Sequence, residues 1–108
     1  MRRGEVRWYT FNAPDKRRPV VILTRDSAIS FLTGITVAPI TSTVRDIPSE
    51  VYLTPDEDGV LSPSAVSLDN IQTVDKRKLG SPLTKLSPDR LHEVDSAICF
   101  ALGIDRLL

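Results

Sequence analysis

Short apolar blocks separated by polar, proline-bearing stretches fill most of the chain, and only its C-terminal fifth changes period. Glu5 to Tyr9 (Glu-Val-Arg-Trp-Tyr) partly alternates polar with apolar side chains, and Val, Trp and Tyr suit a pleated surface, so a first strand is predicted there. Asn12 to Arg18 is polar, contains Pro14 and runs into Pro19, which predicts a loop whose last residues are basic. Pro19 to Thr24 (Pro-Val-Val-Ile-Leu-Thr) is apolar on both parities, as in a strand covered on both faces, and is the best core strand. Ile35 to Ile40 reads as a further strand whose Pro39 confines it to an edge, an end or a bulge. Thr43 to Ser49 reads as a loop, Glu50 to Leu53 as a brief strand, Pro55 to Gly59 as a turn, and Ser64 to Leu68 as another strand, with Ile71 to Val74 extending or following it.

Beyond these, Leu91, Val94, Ile98 and Leu102 recur at helical spacing, with Ala97 and Ala101 widening the stripe. Ser87 suits the N-cap, Pro88 the first helical position, Asp89 the dipole of the first turn, and Gly103 the stop. About five short strands and one amphipathic helix predict a mainly β domain, a small barrel or curled sheet with the helix packed on it. A length of 108 residues suits a single domain over 1–108. With 41% hydrophobic and 26% charged residues the chain can bury a core. No apolar run approaches the roughly 20 residues of a membrane span, and Met1-Arg2-Arg3 leads into Gly4-Glu5, not into a signal peptide's apolar stretch. Together with one cysteine, Cys99, this predicts a cytoplasmic protein without a disulfide framework.

Fourteen basic and fourteen acidic residues give zero net charge, yet the charge is segregated. Residues 1–25 carry Arg2, Arg3, Arg7, Lys16, Arg17, Arg18 and Arg25 against Glu5 and Asp15, enough to build an anion-binding face. Common catalytic sets are missing. His92 is the sole histidine and reads as a surface residue of the helix; Cys99, between Ile98 and Phe100, reads as a buried inert thiol; Asp56, Glu57 and Asp58 read as a solvated acidic turn. No metal or cofactor motif is present, so none is expected. What remains is Arg18, directly before the strongest strand, and Thr41-Ser42-Thr43, where the proline-bearing strand ends. Taken singly, Arg18 reads as a surface cation and Thr41 as a hydroxyl occupied with its own turn.

Five segments in order resemble the MazF/PemK family of toxin ribonucleases. Arg3-Gly4-Glu5-Val6 with Trp8 is similar to the family's opening, and Arg18-Pro19-Val20-Val21-Ile22-Leu23 to its RP-bearing strand. Val37-Ala38-Pro39-Ile40-Thr41 is similar to its P-(I/V)-T segment, Asp69-Asn70-Ile71-Gln72-Thr73-Val74-Asp75-Lys76 to its (D/E)-Q-(I/V)-R-(T/S)-(I/V)-D-K stretch, and Leu86-Ser87 with the following residues to its closing helix. The resemblance implies an SH3-like antiparallel barrel of the CcdB/PemK type with a C-terminal amphipathic helix and short flanking helices. It further implies a homodimer, and a metal-independent endoribonuclease that cuts single-stranded RNA at a short sequence, leaving a 2′,3′-cyclic phosphate and a 5′-hydroxyl. A cognate MazE-like antitoxin is the implied inhibitor. Motif by motif, Arg18 and Thr41 take the catalytic positions, and Arg17, Asp69 and Asn70 are expected RNA contacts. The first loop, Asn12 to Arg18, lacks the family's glycines and glutamate, leaving Asp15 as the positional candidate for an acidic partner. Two alternatives stay open: a CcdB-like toxin that inhibits a protein target without catalysis, and a degenerate member that binds RNA without cutting.

Overall fold

A computed structural model describes residues 1–12 and 16–105. Its strands are β1 (Glu5–Phe11), β2 (Lys16–Ile22), β3 (Gly34–Thr41), β4 (Glu50–Leu53), β5 (Ser64–Ser67), β6 (Gln72–Asp75) and β7 (Pro82–Lys85). Among the described residues these form one seven-stranded sheet in the order β4-β5-β3-β2-β1-β7, with β6 also on β3. Every pairing is antiparallel, and the sheet curls into a half-barrel. Two short helices, α1 (Asp26–Ile29) and α2 (Pro55–Asp58), precede the closing α3 (Pro88–Leu102).

The two parities of Pro19 to Leu23 are buried in different places, as their composition predicts. Val21 and Leu23 join Val6, Ala38, Ile40, Leu53, Val66 and Leu68 in one core with Val94 and Ala97 of α3. Val20 and Ile22 join Ile29, Ile35, Val37 and Val74 in a second core on the other face. Removing such side chains from water supplies about 1.5–3 kcal/mol each, which fixes the register because a one-residue slip would exchange the two faces. Helix α3 has the predicted ends: Ser87 Oγ accepts from the Arg90 N–H, Pro88 opens the helix, and Gly103 closes it at φ 69°. Val94 and Ala97 are buried, and Leu91, Ile98 and Ala101 pack against the first core, whereas Leu102 is exposed.

Four expectations change. Lys16, Arg17 and Arg18 belong to β2 and not to a loop, since Phe11 pairs with Lys16 and β1 continues past Tyr9. Pro39 stands in a central strand; its pair with Val20 is the last of the β2–β3 ladder, and it falls between the pairs that β3 makes with β6 and with β5. A missing N–H is tolerated in that gap. Cys99 is half-buried, outside the core. Asp58 is no solvated turn residue. Its carboxylate accepts from the Thr54 N–H and from Arg90 Nε, both at 2.9 Å, with only 2% of the side chain exposed. Strand β7 is an addition to the strands predicted from the sequence.

Candidate active site

The separation of β2 from β3 begins with Pro19. In an antiparallel ladder, residues alternate between hydrogen-bonded and non-hydrogen-bonded pairs. Pro39 has no N–H, so its pair with Val20 is of the second kind, and the next pair, Pro19 with Ile40, would need the N–H that Pro19 also lacks. The ladder stops there, and Ile40 and Thr41 turn to β5, pairing with Val66 and Ala65. Continuing the register by two residues sets Arg18 opposite Thr41 across the split. Pro19 thus ends a ladder that would otherwise zip shut.

A split sheet can be entered from both faces. A cleft of about 310 Å³ is lined by Trp8, Pro19, Ile40, Val60 and Leu61, and one of about 520 Å³ by Phe11, Lys16, Pro39, Asn70 and Gln72. Arg18, Thr41 and Thr43 line both. The structure therefore brings the two predicted catalytic residues together. Thr41 Oγ accepts from the Thr43 N–H at 3.1 Å, the turn-capping bond expected of it, and keeps its own proton to donate. Arg18 is half-buried, and among the described residues it has no carboxylate within ion-pair distance. Asp15 lies outside the described residues. Lys16, Arg18 and Arg45 are the charged side chains of the wider cleft, so an anion entering it meets cations only.

The three expected RNA contacts part company. Asn70 lines the wider cleft, where its Nδ2 donates to Ser67 Oγ at 2.8 Å. Arg17 lies on the other parity, with its guanidinium 4.2 Å from the centre of the Trp8 ring, at the side of the narrower cleft. Asp69 reaches neither cleft; it accepts from Ser49 Oγ and stands 3.8 Å from Arg45, which also donates to Glu50 at 2.9 Å. Its carboxylate steadies the loop that carries Arg45. Phe11, Lys16, Arg45, Gln72 and Trp8 went unnoticed as cleft residues. Their signal was parity, because a strand starting at Lys16 puts Lys16 and Arg18 on one face together with Phe11.

The chain matches, over residues 2–102, the family described as PemK-like, MazF-like toxin of type II toxin-antitoxin system. It is 43% identical over 102 residues to the probable endoribonuclease MazF5 of Mycobacterium tuberculosis, covering 94% of this chain and 89% of that protein. Among solved structures it resembles the Mycobacterium tuberculosis toxin MazF-mt6, with a TM-score of 0.84, 37% identity, and coverage of 94% of this chain and 98% of the other. A mycobacterial endoribonuclease in complex with its cognate antitoxin also superposes with a TM-score of 0.84, at 27% identity and 97% coverage of both chains. With a family match reaching almost end to end and its Arg18–Thr41 segments in place, the chain belongs to the PemK-like, MazF-like toxins of type II toxin–antitoxin systems.

Proposed function

We propose that this chain is an endoribonuclease toxin that cuts single-stranded RNA at the Arg18–Thr41 split and is neutralised by a MazE-like antitoxin. The observation that carries it is the convergence of Arg18, Thr41 and Thr43 on the line where two clefts meet. A phosphodiester placed there has room for chain on either side. Its non-bridging oxygens face a guanidinium, whose planar fork of donors matches two oxygens at once and which stays protonated near neutrality. The Thr41 hydroxyl donates a further hydrogen bond. As the neighbouring 2′-oxygen attacks, the O2′–P bond forms and the P–O5′ bond breaks, with net transfer of the 2′-hydroxyl proton to O5′. The products are a 2′,3′-cyclic phosphate and a 5′-hydroxyl. Negative charge builds on the phosphorane oxygens, where preorganised donors in a half-buried cleft are most effective.

The antitoxin partner is supported by the likeness to an endoribonuclease held by its cognate antitoxin, and physically by the basic first quarter of the chain, which would attract an acidic, flexible tail. A homodimer in the cytoplasm completes the proposal; among the described residues no helix is long and apolar enough to cross a membrane. The test is incubation of antitoxin-free protein with long single-stranded RNA in excess EDTA, with the new 5′ ends mapped by sequencing. Cuts at a recurrent short sequence, bearing 5′-hydroxyls and lost in Arg18→Ala and Thr41→Ala, are expected. Folded protein that cuts none of a diverse RNA pool would instead point to a toxin acting on a protein target.

A further inference from the structure

The wider cleft is built differently from a phosphate channel. Its lining joins two flat apolar surfaces, the rings of Phe11 and Pro39, to two neutral amides, Asn70 and Gln72. Phe11 is held by the second core and by an edge-on contact with Tyr9, ring centres 4.8 Å apart at 74°, so it is a fixed surface and not a mobile one. Gln72 opens β6 opposite Val37, on the parity of the buried Val74, which directs it to the same side of the sheet as Phe11. The Asn70 amide is already engaged with Ser67, whereas the side-chain amide of Gln72 has no hydrogen-bond partner among the described residues. A flat apolar floor, one idle amide with a donor and an acceptor side by side, and cations for the adjoining backbone are the requirements of a splayed-out nucleobase.

We infer that the cleft on the Phe11–Pro39 side of Arg18 and Thr41 is a subsite for the base next to the scissile phosphate, and that Gln72 determines which base it accepts. The inference rests on the ribonuclease proposal and deepens it. The base stacks on Phe11 and Pro39. Its hydrogen-bonding edge meets the Gln72 amide, while Lys16 and Arg18 hold the flanking phosphates. Asn70 narrows the opening from the adjoining turn. Gln72 is exposed in the free chain, so the bound base itself screens the amide from water: an edge whose donor and acceptor match it is retained, and a mismatched one is disfavoured about tenfold.

The experiment uses the full-length protein and a randomised single-stranded RNA pool in EDTA, with cut sites sequenced for the unmutated protein, Gln72→Ala and Gln72→Glu. Expected at one position adjoining the cut is a loss of base preference of about tenfold in Gln72→Ala, which offers neither donor nor acceptor, and a shift toward a base whose edge donates in Gln72→Glu, which offers acceptors alone. The other positions keep their preferences. Phe11→Leu, which keeps an apolar side chain against the second core but removes the flat ring, raises KM on short substrates about 10-fold through lost stacking, and an unchanged KM would overturn the stacking floor. An unaltered cut profile in both Gln72 variants overturns the subsite while leaving the ribonuclease intact. So does a uniform loss of cutting with every base preference retained, which would mark Gln72 as structural. If the unmutated protein cuts no RNA, the ribonuclease proposal fails and the subsite with it.

Discussion

Arg90 and Arg18 are both half-buried cations, and their surroundings differ in kind. Arg90 on α3 donates Nε to Asp58 at 2.9 Å, Nη2 to Glu57 at 2.9 Å and Nη1 to Glu93 at 3.0 Å, so nearly every direction of its fork meets a carboxylate. The hydrogen bond to Asp58, above all, raises its pKa further from neutrality, against the opposing effect of burial. Arg18 sits where Pro19 ends the β2–β3 ladder, and among the described residues no carboxylate answers it. A satisfied cation ties elements together; one left for an incoming anion gives up stability for binding. The comparison separates structural charge from functional charge inside one small domain, and it can be broken experimentally from either end.

The largest effect is expected at Arg18. Its replacement by Ala should lower kcat/KM for RNA by about 10³-fold, in line with loss of a transition-state donor, while the melting temperature holds or rises. Arg18→Lys keeps the charge but loses the two-pronged geometry, and should still lose about 10²-fold. Near-normal cleavage by the lysine variant would show that a point charge suffices. Thr41→Ala should fall between these and the unmutated protein.

The opposite pattern is expected at the other pole. Asp58→Ala takes away the buried partner of Arg90, leaving it Glu57 and Glu93, and leaves the Thr54 N–H without its acceptor, where the Asp58 side chain is 2% exposed. Breaking a pair of this kind costs about 3 kcal/mol, or about 10 °C in melting temperature for a domain of this size, with activity per folded molecule retained. Thermal unfolding and active-site titration measure the two quantities separately. If Asp58→Ala were as inactive as Arg18→Ala, the division between structural and functional cations would fall.

How visible each pole is in the sequence follows from what the signals report. Helix α3, its caps and the doubly buried strand β2 are visible because periodicity and capping chemistry are local. Arg18 and Thr41 could be singled out as residues at strand ends, but their meeting depends on a register that only the paired strands define, and on Pro19, whose missing N–H ends one ladder. Lys16 was hidden by the polar run before it, which composition assigns to a loop although Phe11 holds it in a strand. Asp58 was hidden by Asp56 and Glu57: three carboxylates in a row look solvated, and the partner that buries one of them lies 32 residues away on α3. Contacts of that separation leave no trace in local pattern.

A finer version of the comparison sits within the wider cleft. Lys16 has no carboxylate partner among the described residues, whereas Arg45 donates to Glu50 at 2.9 Å and lies 3.8 Å from Asp69. An unpaired cation releases counterions when it meets a phosphate; a paired one must first give up its carboxylate. Lys16→Ala should therefore reduce the slope of log KM against log salt by about 0.7, the value for one phosphate contact on a single strand, and Arg45→Ala by clearly less. Equal slopes would mean that the ion pairs of Arg45 open at no cost on binding. Asp69→Asn is the companion variant, expected to act on KM through Arg45 and to leave kcat as it is.

The smallest effect concerns a satisfied pair at the surface, between an exposed guanidinium and a half-buried carboxylate. The Arg77 guanidinium donates Nη2 to Asp75 at 2.9 Å and Nε at 3.2 Å, and the Arg77 N–H adds a third bond at 2.9 Å. These hold the Asp75 carboxyl down at about 2, below the value of about 3.9 expected in the unfolded chain. A carboxylate whose pKa is depressed by folding contributes its stability above the unfolded value and loses it as the pH falls through the folded one. The loss is thus confined to a window from about pH 4 to about pH 2. Asp75→Asn keeps an acceptor for the Arg77 N–H but no longer titrates, so its melting temperature should run below that of the unmutated protein at neutral pH and converge with it by pH 2. Because the Arg77 side chain is 88% exposed and the pair is screened by solvent, the gap should be the smallest of the series and should shrink further in salt. Parallel curves down to pH 2 would mean that fork geometry on an exposed guanidinium stabilises nothing, and that burial of the cation, which Arg90 has and Arg77 lacks, is what makes a satisfied pair structural.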